Sequence, residues 1–409
     1  MGTNSQQELF GADAGIPGNW QVRLLRRCER SNLDLLHELS SIGRTMEDLS
    51  YTSDLNNLNS SSCYQSPERF KRPKNGVPVV SLFSGCGGLD LGFEAAGFEQ
   101  LASVEINKLF CETLRLNRPG WRVIGPPDSK GDVSDRPQIV KDLRSAGLKE
   151  RFKGVFIGGP PCQPFSVAAN QRFSASGKNF KRIGYAHKTN GSLLHDYVHL
   201  ITYFLPTAFL IENVPGLMDI DNGKQLASVL EQLREAGYKV ETPLELNAAN
   251  YGVPQQRIRL FIIGSRTARK FVPPQKSDQV VSCGAALQNL SPQAPNHEAR
   301  NHKPESLLRY MRLDFGERDH LGRVDRLDPR IPSKTVIAGG TKGGGRSHLH
   351  PHVPRTLTVR ECARLQTFPD DFLFQGPVAR QFTQVGNAVP PVLAAQLAIA
   401  IYDSYFKPQ

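Results

Sequence analysis

The side chains of this chain that could do chemistry lie where apolar segments end, and Cys162 is the first of them. The segment VFIGGPPCQPFS, residues 155–166, runs from apolar residues through two glycines and two prolines to this cysteine. Free cysteine is among the most buried residue types, so Cys162 could simply fill a tight turn. A thiolate nucleophile displayed at the end of a strand is the alternative. The prolines favour the nucleophile, because a stiffened loop loses less freedom when a substrate arrives.

A second candidate is Glu212, which stands beside Asn213 near the end of the apolar run FLIENV, residues 209–214. Charged side chains are rarely buried without a partner, so an acid at this place is either solvated or functional. A functional carboxyl group there would suit a proton donor.

Three long polar side chains, Gln255, Arg257 and Arg259, alternate in the segment PQQRIRLF. In a strand they share one face, while the apolar residues between them point to the other. An arginine on such a face needs an acceptor, which could be a carboxylate, a backbone turn or a substrate carbonyl. A structural arginine that holds a loop is the alternative for at least one of them.

The segment FSGCGG, residues 83–88, follows an apolar run and precedes a helical pattern. Its glycines allow a sharp turn and the close approach of a ligand, and a helix N-terminus favours negatively charged groups. Nucleotides, flavins and other adenosine compounds would all suit such a turn. The third glycine of the dinucleotide fingerprint is missing, so an adenosine ligand without a pyrophosphate is favoured.

Two acids extend this candidate ligand site. Glu105 ends the second predicted strand, where a carboxylate could accept hydrogen bonds from two adjacent ribose hydroxyls. Asp132, in the segment GDV, could accept from an adenine amine beside an apolar contact. Ordinary surface acids at strand ends are the alternative for both residues.

These residues need a scaffold, and the pattern from residue 77 onward predicts one of class α/β. Short apolar runs such as LASVEI, FKGVFIGG, PTAFLIENV, KVETPLELN and RIRLFIIGS alternate with helical stretches such as KQLASVLEQLREAG. This alternation predicts a mostly parallel sheet with helices on both faces. Ligands of such sheets bind beyond the carboxyl ends of the strands, where the candidate residues stand.

Changes in this rhythm predict four segments. Residues 1–76 are expected to be an extension of short helices and linker without an assigned role, for which a helix-turn-helix regulator is one possibility. Residues 77–265 and 355–409 are the two parts of the α/β domain. Residues 266–354, rich in Pro, Gly, His and Arg, are expected to form a small loop-rich domain.

Positive charge is concentrated in one part of the chain. The net charge is +11, and residues 266–360 alone hold 17 basic and 8 acidic residues. A localised basic segment is expected of a protein that binds nucleic acid, with a merely solvated basic face as the alternative.

Cysteine usage and hydropathy exclude several other classes of protein. The seven cysteines are odd in number and lack the two-residue spacing of zinc knuckles, so we expect no metal site and no disulfide framework. We find no apolar run of about eighteen residues and no basic and then apolar signal pattern at the N-terminus. We therefore expect a cytoplasmic protein that does not enter a membrane.

Eight motifs, in one order, resemble the cytosine carbon-5 methyltransferases that act on DNA, of the restriction-modification type. They are LFSGCGGLDLGF, VEIN, GDV, GGPPCQPFS, ENVPGL, NYGVPQQRIRLFIIG, RTLTVRECARLQTFP and QVGNAVPP. The resemblance implies a Rossmann-like fold that uses S-adenosylmethionine, and a target cytosine rotated out of the duplex. Residues 266–354 then resemble the target-recognition domain of the family, and residues 77–265 and 355–409 its catalytic domain.

The resemblance also implies roles for the candidate catalytic residues. Cys162 attacks carbon 6 of the cytosine ring, which makes carbon 5 nucleophilic toward the donor methyl group. Glu212 engages ring nitrogen 3 and the exocyclic amine. Arg259 faces the base carbonyl, with Arg257 and Gln255 as its supporting neighbours.

Twelve further residues match positions at which the family contacts its cofactor. They are Phe83, Gly85, Gly87, Gly88, Glu105, Ile106, Asp132, Val133, Pro161, Leu193, Asn387 and Val389. Two residues depart from the family pattern near this pocket, since Asn190 stands where an arginine is common and Asn107 where an acid is common.

The expected function is methylation of a cytosine within a short specific sequence of double-stranded DNA. We expect a monomer in the bacterial cytoplasm. It would protect DNA from a cognate restriction nuclease, to which it would not bind stably. The same chemistry on transfer RNA is the nearest alternative, although Ser166 and the basic segment favour DNA. A methyltransferase whose N-terminal segment also regulates transcription is another. A nicotinamide-dependent dehydrogenase is disfavoured by the glycine pattern.

Overall fold

An eight-stranded sheet lies at the centre of the structure, a computed structural model that describes residues 19–52, 64, 66–161, 193–322, 324–338 and 348–408. Its strands are β1 (Pro78–Leu82), β2 (Glu99–Val104), β3 (Val123–Ile124), β4 (Val155–Gly158), β5 (Ala208–Asn213), β6 (Lys239–Val240), β7 (Leu244–Asn247) and β8 (Ile258–Ser265). The main strand order is β3-β2-β1-β4-β5-β8-β6, and β7 also pairs with β8. Strands β1 to β5 pair in parallel, whereas β8 pairs antiparallel with β5, β6 and β7.

The prediction of a mostly parallel sheet is confirmed, and its inner strands are apolar because helices cover both of their faces. Every residue of β4 is buried, as are most residues of β1 and β5. One strand prediction was wrong in its extent. The segment KVETPLELN forms two short strands, β6 and β7, because Pro243 lies between them and has no N–H to donate to a ladder.

Helices cover both faces of the sheet. The helices are α1 (Asn19–Ser31), α2 (Leu35–Ser41), α3 (Gly88–Ala95), α4 (Lys108–Asn117), α5 (Arg136–Ser145), α6 (Leu193–Phe204), α7 (Lys224–Glu235), α8 (Cys283–Leu287), α9 (Pro304–Tyr310), α10 (Val359–Leu365), α11 (Val378–Asn387) and α12 (Pro391–Ile401). On one face, α6 and α7 bury Tyr197, Phe204 and Leu233. On the other face, α3 and α12 bury Phe93 and Leu397.

The C-terminal helix α12 packs against α3, at the start of the α/β domain. A Cβ atom added to Gly92 of α3 would lie 2.4 Å from the Ala394 side chain, so the two helices approach closely. Within the described ranges, 378–406 is the one stretch long and apolar enough to cross a membrane, and 72% of its most apolar window is buried. Packing in the core accounts for the apolar composition of this stretch.

Residues 266–354 are named the recognition region from here on, and their described parts, 266–322, 324–338 and 348–354, contain little regular structure. Their elements are α8, α9 and a two-stranded parallel sheet of β9 (Asp325–Arg326) and β10 (His348–Leu349). Elsewhere, single 3-10 turns cover Met46–Asp48, Pro67–Phe70 and Ala248–Tyr251, and a π-helical turn covers Tyr402–Phe406. Pro215–Gly223 contains two short 3-10 pieces separated by a kink.

Two short helices, α1 and α2, lie near the N-terminus. Their apolar side chains are buried in one cluster with residues of the recognition region. Residues 19–52, named the N-terminal segment from here on, therefore lie on the recognition region and not on the central sheet.

Candidate active site

The glycine turn after β1 contains several residues with positive φ. Phe83, Gly85 and Gly87 have φ values of 56°, 59° and 90°, in the left-handed region that glycine adopts without strain. At Gly88, the first residue of α3, an added Cβ would lie 2.3 Å from the carbonyl oxygen of Val389. The backbone before α12 therefore lies directly against this turn, which brings Gly88 and Val389 together.

Glu105 holds the glycine turn from the end of β2. Its carboxylate is 7% exposed and accepts hydrogen bonds from the backbone N–H of Gly85 at 2.8 Å and of Asn107 at 2.7 Å. Burial raises the pKa of Glu105, and these two N–H groups oppose that rise. Cβ atoms added to Gly125 or Gly131 would lie 2.1 and 2.2 Å from the Glu105 carbonyl oxygen. Two glycines are therefore required beside this acid.

Asn107 stands where the family often has an acid, and its side chain caps the N-terminus of α4. Its Oδ1 accepts from the backbone N–H of Leu109 at 3.1 Å and so begins α4. An asparagine caps a helix about as well as an aspartate. This departure from the family pattern therefore leaves the local fold intact.

Asp132 follows Gly131 and is held by its own turn. Its Oδ1 accepts from the backbone N–H of Ser134 at 2.9 Å and from the Ser134 hydroxyl at 2.6 Å. Next to these acids, Ile106 is 58% exposed and Val133 is buried. Glu105 and Ile106 follow β2, and Asp132 lies in the segment after β3, so two acids and one exposed apolar side chain lie beyond the carboxyl ends of neighbouring strands.

These features fit the adenosine part of S-adenosylmethionine. Each carboxylate oxygen of Glu105 accepts one backbone hydrogen bond and keeps a lone pair for a ribose hydroxyl. The glycine turn leaves room for close approach, and Ile106 offers an apolar surface. Among the other predicted cofactor residues, Pro161 and Asn387 are exposed and Leu193 begins α6 half-buried.

Glu212 and Arg259 form an ion pair at the opposite half of the sheet edge. The Arg259 Nε lies 3.1 Å from Glu212 Oε1, and the two side chains are 18% and 13% exposed. Glu212 is opposite Phe261 in the β5–β8 ladder, so Arg259 is its diagonal neighbour on the same face. Burial lowers the pKa of Arg259, and the Glu212 carboxylate opposes this. The predicted acid and its arginine are thus brought together.

The segment that leads to Cys162 passes over Glu212. A Cβ atom added to Gly159 would lie 2.7 Å from Glu212 Oε2, so a larger residue there would displace the carboxylate. The Asn213 side-chain amide reaches the carbonyl oxygen of Pro160 at 3.5 Å. Cys162 and Asn190 themselves lie outside the described residues.

Gln255 and Arg257 precede β8, which begins at Ile258, and both are buried. Gln255 donates to the Leu365 carbonyl at 3.2 Å and to the Gln366 side chain at 2.9 Å. The Arg257 Nη2 donates to the carbonyl of Gly386 at 3.1 Å. Their contacts are with neighbouring protein segments, and Arg259 alone of the three pairs with Glu212.

Sequence reasoning missed Asp90, a fully buried acid beneath the glycine turn. It accepts from the Ser103 hydroxyl at 2.8 Å and from the Ser81 hydroxyl at 3.0 Å. Burial raises the pKa of Asp90 to about 6, against the effect of these hydrogen bonds. An acid in the first turn of a helix is visible in the sequence. Its partners on β1 and β2 are not.

In the part of the chain that the structure describes, no three His, Cys, Asp or Glu side chains are grouped so that they could hold a metal ion. The described site residues are instead carboxylates, arginines and glycines at the carboxyl ends of strands. Such an edge can bind an adenosine compound at one end and a polar ring at the other.

Comparison with known proteins decides the family. The family model for C-5 cytosine-specific DNA methylase matches residues 77–403. The chain belongs to this family. It is a DNA (cytosine-5)-methyltransferase, as the eight motifs predicted, and the family generally uses S-adenosylmethionine.

Named relatives of this methyltransferase are bacterial. It is 35% identical over 340 residues to the Type II methyltransferase M1.HphI of Haemophilus parahaemolyticus, covering 80% of this chain and 86% of that one. It is 32% identical over 385 residues to the Type II methyltransferase M.NgoFVII of Neisseria gonorrhoeae, covering 86% and 91%. A crystal structure from E. coli, described as a DNA modification methyltransferase encoded within a prophage, superimposes with a TM-score of 0.66 at 25% identity, over 81% of this chain and 100% of that one.

Proposed function

We propose that this methyltransferase acts on carbon 5 of a cytosine within a short specific sequence of double-stranded DNA, through a covalent bond between Cys162 and carbon 6 of the flipped base. The observation that carries the proposal is the Glu212–Arg259 pair, which lies directly beneath the segment leading to Cys162. A carboxyl group and a guanidinium at this place match the polar edge of a cytosine, which has ring nitrogen 3 and an amine beside a carbonyl.

The residues that would hold S-adenosylmethionine lie at the other half of the same edge. Glu105 would accept hydrogen bonds from the ribose hydroxyls, and Asp132 one from the adenine amine. The turn of residues 83–88 and the backbone of Val389 would line the rest of the site. When bound, S-adenosylmethionine supplies a methyl group on a positively charged sulfur.

Cys162 begins the reaction as a thiolate. Its sulfur forms a bond to carbon 6 of the cytosine, and the electron pair of the C5–C6 double bond moves toward carbon 5. Glu212 holds ring nitrogen 3 and the amine, and Arg259 the base carbonyl, so that both stabilise the electron-rich ring. Carbon 5 would form its bond to the methyl group as the S–CH3 bond of the donor breaks, which leaves that sulfur as a neutral thioether. Carbon 5 would then lose its proton to a base. The electron pair of that C–H bond restores the double bond as the carbon–sulfur bond breaks, which returns the thiolate.

Recognition of the DNA sequence belongs to the recognition region in this proposal. Its arginines and lysines would bind phosphates and steer the approach of DNA, while a few polar side chains read base edges. The relatives are named Type II methyltransferases, which supports a role in protecting DNA from a cognate restriction nuclease. We place the enzyme in the bacterial cytoplasm as a monomer that does not bind the nuclease stably.

Transfer of a tritiated methyl group tests the function directly. We expect incorporation into duplex DNA and none into transfer RNA, and bisulfite sequencing of DNA from cells that express the protein should reveal the modified sequence. Cys162→Ser should abolish turnover and keep S-adenosylmethionine binding, because an alcohol is a far weaker nucleophile than a thiolate. Incorporation into transfer RNA alone, or full turnover by Cys162→Ser, would overturn the proposal.

A further inference from the structure

The N-terminal segment shares one apolar core with the recognition region. Leu24, Leu25 and Leu39 of the segment are buried in the same cluster as Leu307, Met311 and Leu313. Without the segment, these side chains of the recognition region would lose much of their apolar cover. The recognition region therefore needs residues 19–52 to complete its core.

A buried arginine joins the N-terminal segment to the catalytic domain. The Arg355 side chain is 2% exposed and contacts two carboxylates, Glu47 at 2.7 Å and Glu361 at 2.8 Å. Glu47 belongs to the N-terminal segment, and Glu361 to the first turn of α10. One guanidinium thus connects the N-terminal segment to the start of α10, across 308 residues of sequence.

A second buried arginine is held by an aromatic side chain of the same segment. The guanidinium carbon of Arg326 lies 3.5 Å from the centre of the Tyr51 ring and 4.0 Å from that of Phe315. The Tyr51 hydroxyl donates to the carbonyl of His350 at 2.7 Å. Stacking of a desolvated guanidinium between two rings fixes β9 against the N-terminal segment.

Helix α10 lies between the Arg355–Glu361 ion pair and the residues at the active-site edge of the sheet. All seven of its residues are buried. Beyond its C-terminal end, the Gln366 side chain donates to the Val385 carbonyl at 2.7 Å and accepts from Gln255 at 2.9 Å. Hydrogen bonds at both ends of one rigid helix therefore link Glu47 to Gln255 and to the backbone before Val389.

We propose that Glu47 and Tyr51 are positioning residues for DNA recognition. They hold the recognition region, through Arg355 and Arg326, at a fixed place relative to the catalytic edge. This inference depends on the proposed function, since it assigns the N-terminal segment a part in choosing the DNA sequence. An independent regulatory module would instead keep its helices available, whereas the apolar side chains of α1 and α2 are used within the chain.

Steady-state kinetics of full-length variants test this role. Glu47→Gln keeps the side-chain shape and leaves Arg355 paired with Glu361, so the buried guanidinium is not left without a carboxylate. We expect the KM for cognate DNA to rise roughly fivefold, with kcat and the Kd for S-adenosylmethionine unchanged within about twofold. We also expect a loss of discrimination. Discrimination is here the kcat/KM for cognate DNA divided by the kcat/KM for a duplex with one mismatched base pair.

Two further variants separate positioning from folding. Tyr51→Leu removes the aromatic ring that contacts Arg326. Like Glu47→Gln, it should raise the KM for cognate DNA and lower the discrimination against the mismatched duplex. Glu38→Gln is the matched control, because Glu38 pairs with Arg27 inside the N-terminal segment, and it should behave as the wild type. The thermal unfolding midpoint of every variant is measured beside the kinetics.

Two results would overturn the inference. One is wild-type DNA KM and wild-type discrimination in both Glu47→Gln and Tyr51→Leu. The other is a parallel loss of S-adenosylmethionine binding and thermal stability, which a merely structural role would produce. Absence of DNA methylation by the wild type would overturn the proposed function itself, so the two failures are distinguishable.

Discussion

Glu212 and Arg259 owe their contact to the antiparallel pairing of β5 and β8. A parallel strand at this position would have placed the segment PQQRIRLF at the other end of the sheet. Because β8 runs in the opposite direction, its first residues lie beside the last residues of β5. One reversed strand is therefore sufficient to bring a cation to an acid at the carboxyl edge.

Substitution of Glu212 tests the role of the carboxylate. Glu212→Gln keeps the shape but cannot give a proton to ring nitrogen 3, so the negative charge that develops on the ring is no longer neutralised. We expect kcat to fall by about a hundredfold or more, with the Kd for S-adenosylmethionine unchanged. Methyl transfer under saturating cofactor measures the first quantity and calorimetry the second. Glu231→Gln, on the exposed face of α7, serves as control, and equal kcat values for the two variants would contradict the assignment.

Gly88 provides a test of the cofactor turn. An alanine there would place its Cβ 2.3 Å from the Val389 carbonyl oxygen, so the backbone before α12 must move. We expect Gly88→Ala to weaken S-adenosylmethionine binding at least tenfold, or roughly 1.4 kcal/mol. Gly120→Ala is the matched control, because an added Cβ meets nothing within 4 Å there. Unchanged affinity in Gly88→Ala would show that the turn tolerates displacement.

At the scale of elements, helix α10 has a buried carboxylate, Glu361, in its first turn. Its first turn is a capping box, in which the Glu361 N–H donates to the Thr358 hydroxyl and the Thr358 N–H donates to the Glu361 carboxylate at 2.8 Å. Burial by itself would raise the pKa of Glu361, but hydrogen bonds and charge from Arg355 outweigh it and lower the pKa to about 2.

The pH dependence of stability should reveal this carboxylate. A folded-state pKa below the ordinary value of 4.5 means that Glu361 stabilises the fold fully above that pH, and that this stabilisation is lost as the pH falls toward 2. Because Arg355 keeps Glu47 as a partner, we expect Glu361→Gln to lower the free energy of unfolding by about 1.5–3 kcal/mol at pH 7. The difference from wild type should shrink below pH 4.5.

Denaturant unfolding at several pH values measures that difference. Glu305→Gln, at the exposed start of α9, is the control and should change little at any pH. A difference between wild type and Glu361→Gln that stays constant from pH 7 to pH 3.5 would contradict a depressed pKa.

The elements that could be predicted from the sequence are those with local signals. The glycine turn, Glu105 and the strands of the parallel sheet follow from patterns within a few residues of one another. The contact of Gly159 with Glu212 could not be predicted, because it depends on how two strands lie side by side. The hydrogen bond from Arg355 to Glu47 spans 308 residues of sequence. No local pattern carries such information, although the TVRE capping box was visible.

At the scale of the whole molecule, the charge count in the sequence overstates the surface available to DNA. Residues 266–360 hold 17 basic and 8 acidic residues. Three of those arginines, Arg326, Arg355 and Arg360, are at most 2% exposed and hold protein segments together. Part of the excess positive charge is therefore available to bind DNA, and part of it lies on buried arginines that hold protein segments together.

Salt titration of DNA binding tests this division. If the whole excess of nine charges neutralised phosphates, the slope of log K against log salt would be about −8. Because three arginines are committed to internal contacts, we expect a slope of about −5. Binding of S-adenosylmethionine, measured over the same salt range as a control, should vary little. A slope as steep as −8 would contradict the structural use of the buried arginines.

The position of Val389 and α12 has a consequence for how the enzyme is made. Val389 and α12 are synthesised long after Gly88, yet Val389 lies against the turn at Gly88 and α12 packs on α3 near the start of the domain. A growing polypeptide therefore cannot complete this turn until the segment through α12 has been made. A messenger cut short before codon 389 would yield a product without this closure, however much of the sheet it could form.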